Sequence, residues 1–135
     1  MGTKIIRGTA WCDLAITLPF ALPFVAGVAI ALLREADRWL GLGTSAMTFE
    51  TGPLAMMFVH IMGALGVVWA IARLCLPVPL LSRIDAIARL FVSALILHAM
   101  IEGATPLLWF FVATEVLGSA AQFFALRQAD MKISG

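Results

Sequence analysis

Three titratable side chains stand inside long apolar runs of this chain: His60, His98 and Glu115. Counted from the outer end of each run, Glu115 lies about 12 Å deep, His60 about 9 Å and His98 about 5 Å at the helical rise of 1.5 Å per residue. An ionisable group at the centre of a membrane helix costs about 2.5–3.5 kcal/mol and has to face protein or water. Three such groups on three helices, within about 7 Å of depth, point to one ligand-binding cavity in the outer half, with Thr17 across from Glu115. There Glu115 is expected to be protonated or hydrogen-bonded to an imidazole or to Thr17. Paired with His60, it would make an acid and a base, because burial raises a carboxyl pKa towards neutrality. Each residue also has a plainer reading, as one structural hydrogen bond to a neighbouring helix.

A second group belongs to the opposite side. Asp13 falls in the first turn of the first apolar helix, where the helix dipole favours a carboxylate, and Arg73 and Arg89 fall at the same level. An ion pair of Asp13 with either arginine is expected. Met56, Met57 and Met62 flank His60, and Met100 follows His98, which places soft sulfur beside imidazole in the manner of a Cu(I) site. Methionine is equally an ordinary gap-filler. His60 and His98 also supply imidazoles for a haem, although their levels differ by about 4 Å, a poor fit for two axial ligands of one ring. No metal ligand set is assigned, and the cofactor stays unknown.

The elements that must hold these residues are membrane helices. Of the 135 residues 62% are hydrophobic and only 13% charged, and the mean hydropathy is +1.03. Soluble domains carry about 25% charged residues, so the bilayer is the expected solvent. With a net charge of +1 and no basic run longer than two residues, nothing points to nucleic acid. Cys12 and Cys75 form no CxxC pair, and both are expected as reduced thiols at the cytoplasmic ends of two helices. The absence of asparagine removes any glycosylation sequon. Arginine in excess of lysine, with abundant Ala and Leu, suits a bacterial inner membrane.

Four spans are expected, over about 10–33, 53–74, 82–101 and 106–126, each near the 20 residues or so that cross a hydrocarbon core. Pro53 and Pro106 suit the first turns of their helices. The spacing Ser82-x-x-Asp85 matches a capping box for the third. Pro19 and Pro23 should bend the first. The outer link 34–52 contains Arg34 to Leu40, which could form a short interfacial helix. Gly63, Gly66 and Ala70 on one helix, and Gly118, Ala121 and Ala125 on another, make stripes for close packing. Of nine basic residues, Lys4, Arg7, Arg73, Arg83, Arg89, Arg127 and Lys132 fall on one side, against Arg34 and Arg38 on the other. The positive-inside rule then puts both termini in the cytoplasm. Trp11 and Trp69 near the inner ends, with Trp39 and Trp109 near the outer, fit aromatic belts. The expected fold is an all-α integral membrane protein, a four-transmembrane-helix antiparallel bundle with N-in/C-in topology.

The stretch Cys12-Asp-Leu-Ala-Ile-Thr-Leu-Pro-Phe20 resembles the cysteine, acid and Leu-Pro-Phe pattern of the emopamil-binding and sigma-2-receptor group, the EXPERA family. Phe58-Val-His60 is similar to that group's following helix. Together these cover residues 11–70. The resemblance implies a small bundle enclosing an apolar pocket, where buried acids meet a cationic or sterol-like ligand, with Asp13 as the matching acid. The chain departs from the pattern in lacking the helix that precedes the acid-bearing one, and Glu115 has no counterpart there. The leading function is a small membrane protein that binds a lipid-like or apolar ligand, or supports a larger membrane complex, alone or as a homo-oligomer. A membrane isomerase using Glu115 and His60, a metal or haem site, and transport are the alternatives.

Overall fold

The computed structural model describes residues 2–131, except for the side chains at 2, 3, 47 and 128–131. Lys132, counted above with the inner basic residues, lies outside the described residues. Five α-helices follow in order: α1 (Gly2–Ala21), α2 (Pro23–Trp39), α3 (Pro53–Cys75), α4 (Pro79–Ile101) and α5 (Trp109–Met131). Short 3-10 turns at Ala46–Phe49 and Pro106–Leu108 lie in the links. There is no strand among the described residues.

Proline sets three of the helix starts. Pro23, Pro53 and Pro79 each stand in a first turn, where the missing N–H has no intrahelical partner to lose. Thr105 caps the turn before α5 by accepting from Leu107 N at 3.2 Å. The expected capping box at Ser82 does not form. The third span starts a turn earlier, at Pro79, so Ser82 is already inside the helix and its hydroxyl turns back to Val78 O. Asp85 is thereby released to point inward.

The single helix expected over 10–33 is also corrected. Leu22 adopts an extended conformation, and Pro23 has no N–H to continue the ladder, so the chain turns by 103° between α1 and α2. Leu22 O receives Val25 N and Ala26 N, both at 3.0 Å, and starts α2 afresh. α3, α4 and the helix from Pro106 onward are each long and apolar enough to cross a membrane. The bent pair makes a fourth crossing if it counts as one span. α2 takes in most of the short interfacial helix expected over 34–40, and Gly41 and Gly43, at φ +65° and +72°, turn the chain out of it.

α1 packs against both α3 and α5, and α5 packs against α4. Gly63 meets the backbone of Phe20 and Ala21, and Gly66 meets Thr17, so α1 and α3 run antiparallel at backbone contact. Between α4 and α5 the same antiparallel register appears in Arg89 against Gly118, Ala86 against Ser119 and Asp85 against Gln122.

The interior is inverted relative to a water-soluble fold. The largest fully buried side chains are Arg73, Gln122, Ser82 and Ser119, whereas Phe24, Phe91, Leu117 and Ile101 stand mostly exposed. Water would reward the opposite arrangement. In hydrocarbon the apolar side chains lose nothing by facing out, and polar groups must find each other inside.

A buried acid and arginine cluster as the candidate functional site

Two arginines on different helices hold three acids on three helices. Arg73 on α3 donates Nη2 to Asp13 Oδ2 on α1, and Nη1 to Asp85 Oδ2 on α4 at 2.6 Å. Arg89 on α4 donates Nη2 to Asp13 Oδ2, Nε to Asp85 Oδ2 at 2.8 Å, and Nη1 to Glu115 Oε2 on α5 at 3.0 Å. Arg73 is wholly buried and Arg89 nearly so. The planar fork of guanidinium suits this work, since one side chain presents several donors in fixed directions.

Asp85 is the best satisfied of the acids. It also accepts Trp69 Nε1 at 2.5 Å and the amide of Gln122, whose Nε2 is 3.2 Å from Thr9 Oγ1 on α1. Trp69 therefore turns its indole N–H into the cluster, which corrects its expected place in an aromatic belt. Trp11, Trp39 and Trp109 are largely exposed. Ser93 and Ser119 complete the polar seam by donating to Arg89 O at 2.9 Å and Ala86 O at 2.8 Å.

A groove of 540 Å³ opens beside this cluster between α1 and α5. Its lining is largely apolar, with Ile16, Phe110, Leu117 and Ala121, and Thr9, Asp13, Arg89 and Thr114 add polar groups to it. Cys12 also lines it, standing in the middle of α1 rather than at a helix end, because α1 begins at Gly2. Cys75 does end its helix, and both thiols are free.

The structure brings Asp13 together with both Arg73 and Arg89. It does not assemble the cavity expected from Glu115, His60, His98 and Thr17. His60 Nδ1 lies 2.9 Å from Phe20 O, at the end of α1, while Glu115 joins Arg89 at the level of Asp13. Seven residues of α1 separate those levels, about 10 Å of helix. His98 is exposed on α4, and Thr17 donates to Asp13 O at 2.8 Å within its own helix. Depth along each helix did not place Glu115. What it omitted was the reach of Arg89, which lies opposite Gly118, one turn from Glu115.

Sequence reasoning missed Asp85, assigned to a cap, and Asp37, assigned to an outer link. Asp37 Oδ1 accepts Thr44 Oγ1 and Thr105 Oγ1, each at 2.5 Å, and its other oxygen accepts Thr44 N at 3.3 Å. These bonds tie the end of α2 to the link before α5, placing both links at one end of the molecule. The hydrogen bond from Thr105, then that from Thr44, holds the Asp37 carboxyl below the usual carboxylate range, outweighing its partial desolvation. Among the described residues no three of His, Cys, Asp and Glu gather as a metal site. No family model, no curated protein and no solved structure matches the chain.

Proposed function

We propose that the chain is a small polytopic membrane protein, a four-crossing antiparallel bundle with both termini cytoplasmic, that holds a lipid-like or apolar molecule in the α1–α5 groove. The carrying observation is the groove itself, largely apolar in its lining with Asp13 and Arg89 among its few polar residues. A ligand with a hydrocarbon body and a polar end fits that division, with the polar end towards the cluster. The similarity of residues 11–70 to the EXPERA group agrees with it, because Asp13 is the acid of the shared pattern and lines the groove.

The isomerase reading has less support. Glu115 and His60 are each engaged with a different partner, and no hydrogen bond joins them among the described residues. Native mass spectrometry from mild detergent tests the binding reading. The wild-type chain should retain a lipid-sized adduct, and Ala121→Phe, which fills the groove wall without touching an ion pair, should lose it. Equal retention by both would move the ligand out of the groove.

A further inference from the structure

The cluster is one positive charge short. With every group ionised, Asp13, Asp85 and Glu115 bring three negative charges and Arg73 and Arg89 bring two positive ones, all joined by the contacts above. The neighbours on every packed helix are then accounted for. α1 contributes Asp13, α3 Arg73 and the neutral Trp69, α4 Asp85 and Arg89, and α5 Glu115 and the neutral Gln122. A net charge enclosed by apolar helices is far costlier than a neutral network, so one more positive charge is called for.

The three acids are not equivalent. Asp85 accepts four donors and Asp13 receives both arginines, while Glu115 has only Arg89 Nη1, at 3.0 Å, and its second oxygen has no partner among the described residues. Glu115 is also the most exposed of the three, at 23% of its side chain against 17% for Asp13 and 5% for Asp85. Donors stabilise a carboxylate, so the acid with a single donor is the one that takes up a proton most readily. A second observation concerns Gln122, which is fully buried and whose Oε1 has no donor, although Arg73 Nε is likewise buried without an acceptor.

We infer that the cluster is a proton-binding site, holding one exchangeable proton on Glu115 at neutral pH while Asp13 and Asp85 stay ionised against the two arginines. A single proton makes the network neutral, and Glu115 can donate it to an acceptor without breaking the interlock of Asp85 with Arg73 and Arg89. This goes beyond ligand binding in the groove, and it stands if the groove proves empty.

Infrared spectroscopy of the purified full chain in detergent micelles at neutral pH reads the proton directly, as the carbonyl stretch of a protonated carboxyl. The expected result is such a band in the wild type that shifts on deuteration, disappears in Glu115→Gln and persists in Asp37→Asn. Glu115→Asp keeps an acid at the site and should keep a band, displaced in frequency, so it decides the matter should the glutamine variant fail to fold. No protonated-carboxyl band in the wild type would overturn the inference. So would a band unaltered in Glu115→Gln or undisplaced in Glu115→Asp.

Discussion

His60 Nδ1 stands 2.9 Å from the carbonyl oxygen of Phe20, so α3 supplies the donor that α1 loses where it breaks. Had α1 continued, Phe24 N would have filled that acceptor, but the turn at Leu22 and Pro23 carries it away. The imidazole must carry its hydrogen on Nδ1 to serve there. His60→Leu, which leaves the carbonyl unpaired, should lower stability by about 1–3 kcal/mol. Thermal unfolding in detergent measures it, and a variant as stable as wild type would show that water replaces the imidazole at the break.

The two glycines of α3 should differ in their tolerance of a methyl group. A Cβ at Gly63 would strike the backbone of Phe20 and Ala21, which cannot move aside, whereas at Gly66 it would meet the side chain of Thr17 at 2.6 Å. Overpacking costs about 1–3 kcal/mol, and Gly63→Ala should lie at the upper end and Gly66→Ala at the lower. Melting temperatures of the two variants in one detergent compare them, and the reverse order would contradict the contact geometry.

Arg73 is the least replaceable member of the cluster. Arg73→Met leaves Asp13 and Asp85 sharing one guanidinium, and removing one partner of a buried ion pair costs about 3–5 kcal/mol. Adding Asp13→Asn to that variant removes one stranded charge and should recover part of the loss. A double-mutant cycle by thermal unfolding checks this, and strict additivity would mean that the two residues do not act as a pair.

Asp37 makes the junction of α2 with the link before α5 sensitive to pH. Its carboxyl is held below the ordinary aspartate range by the two threonine hydroxyls when folded, so the folded state binds its proton less readily than the unfolded. The stabilisation is therefore complete above the usual carboxylate range, and it is lost as pH falls through the lower, folded value. Melting temperature followed from pH 6 or so down to about pH 3 should fall less steeply in Asp37→Asn than in wild type. Parallel curves would place the acid sensitivity elsewhere.

Topology rests on the asymmetry of the basic residues. In a chain whose own cysteines are replaced, a thiol introduced at Ser45 should react with an impermeant reagent added to intact cells, and one at Ser134 should not. The opposite pattern would invert the protein in the membrane.

The helices were legible because apolar runs with proline at their starts leave little choice, as Pro53 and Pro106 illustrate. The break in the first run was half legible. Pro19 and Pro23 announce a bend, but proline alone does not say whether a helix kinks or turns by 103°. The meeting of Asp13 with Arg73 and Arg89 could be read from their shared level. Glu115 could not be placed from depth, because a guanidinium spans more than one turn. The antiparallel register across the link 102–105, carried down from that link, sets Arg89 opposite Gly118, and this was the signal that would have found the pair. Asp85 was hidden by its spacing from Ser82, since local capping and distant ion pairing use the same residue types. Asp37 was hidden by distance, its partner Thr105 lying 68 residues away.

The distribution of charge among the helices also sets a schedule for making the protein. α4 carries Asp85 and Arg89 one turn apart, bonded to each other at 2.8 Å, so this acid has a partner within its own helix. α1 has no such partner of its own. Asp13 must wait for Arg73, 60 residues later in the chain, and Arg73 in turn is wholly enclosed only once α1 and α4 are both beside it. During synthesis Asp13 therefore precedes both of its ionic partners, and gains them only as α3 and α4 follow it.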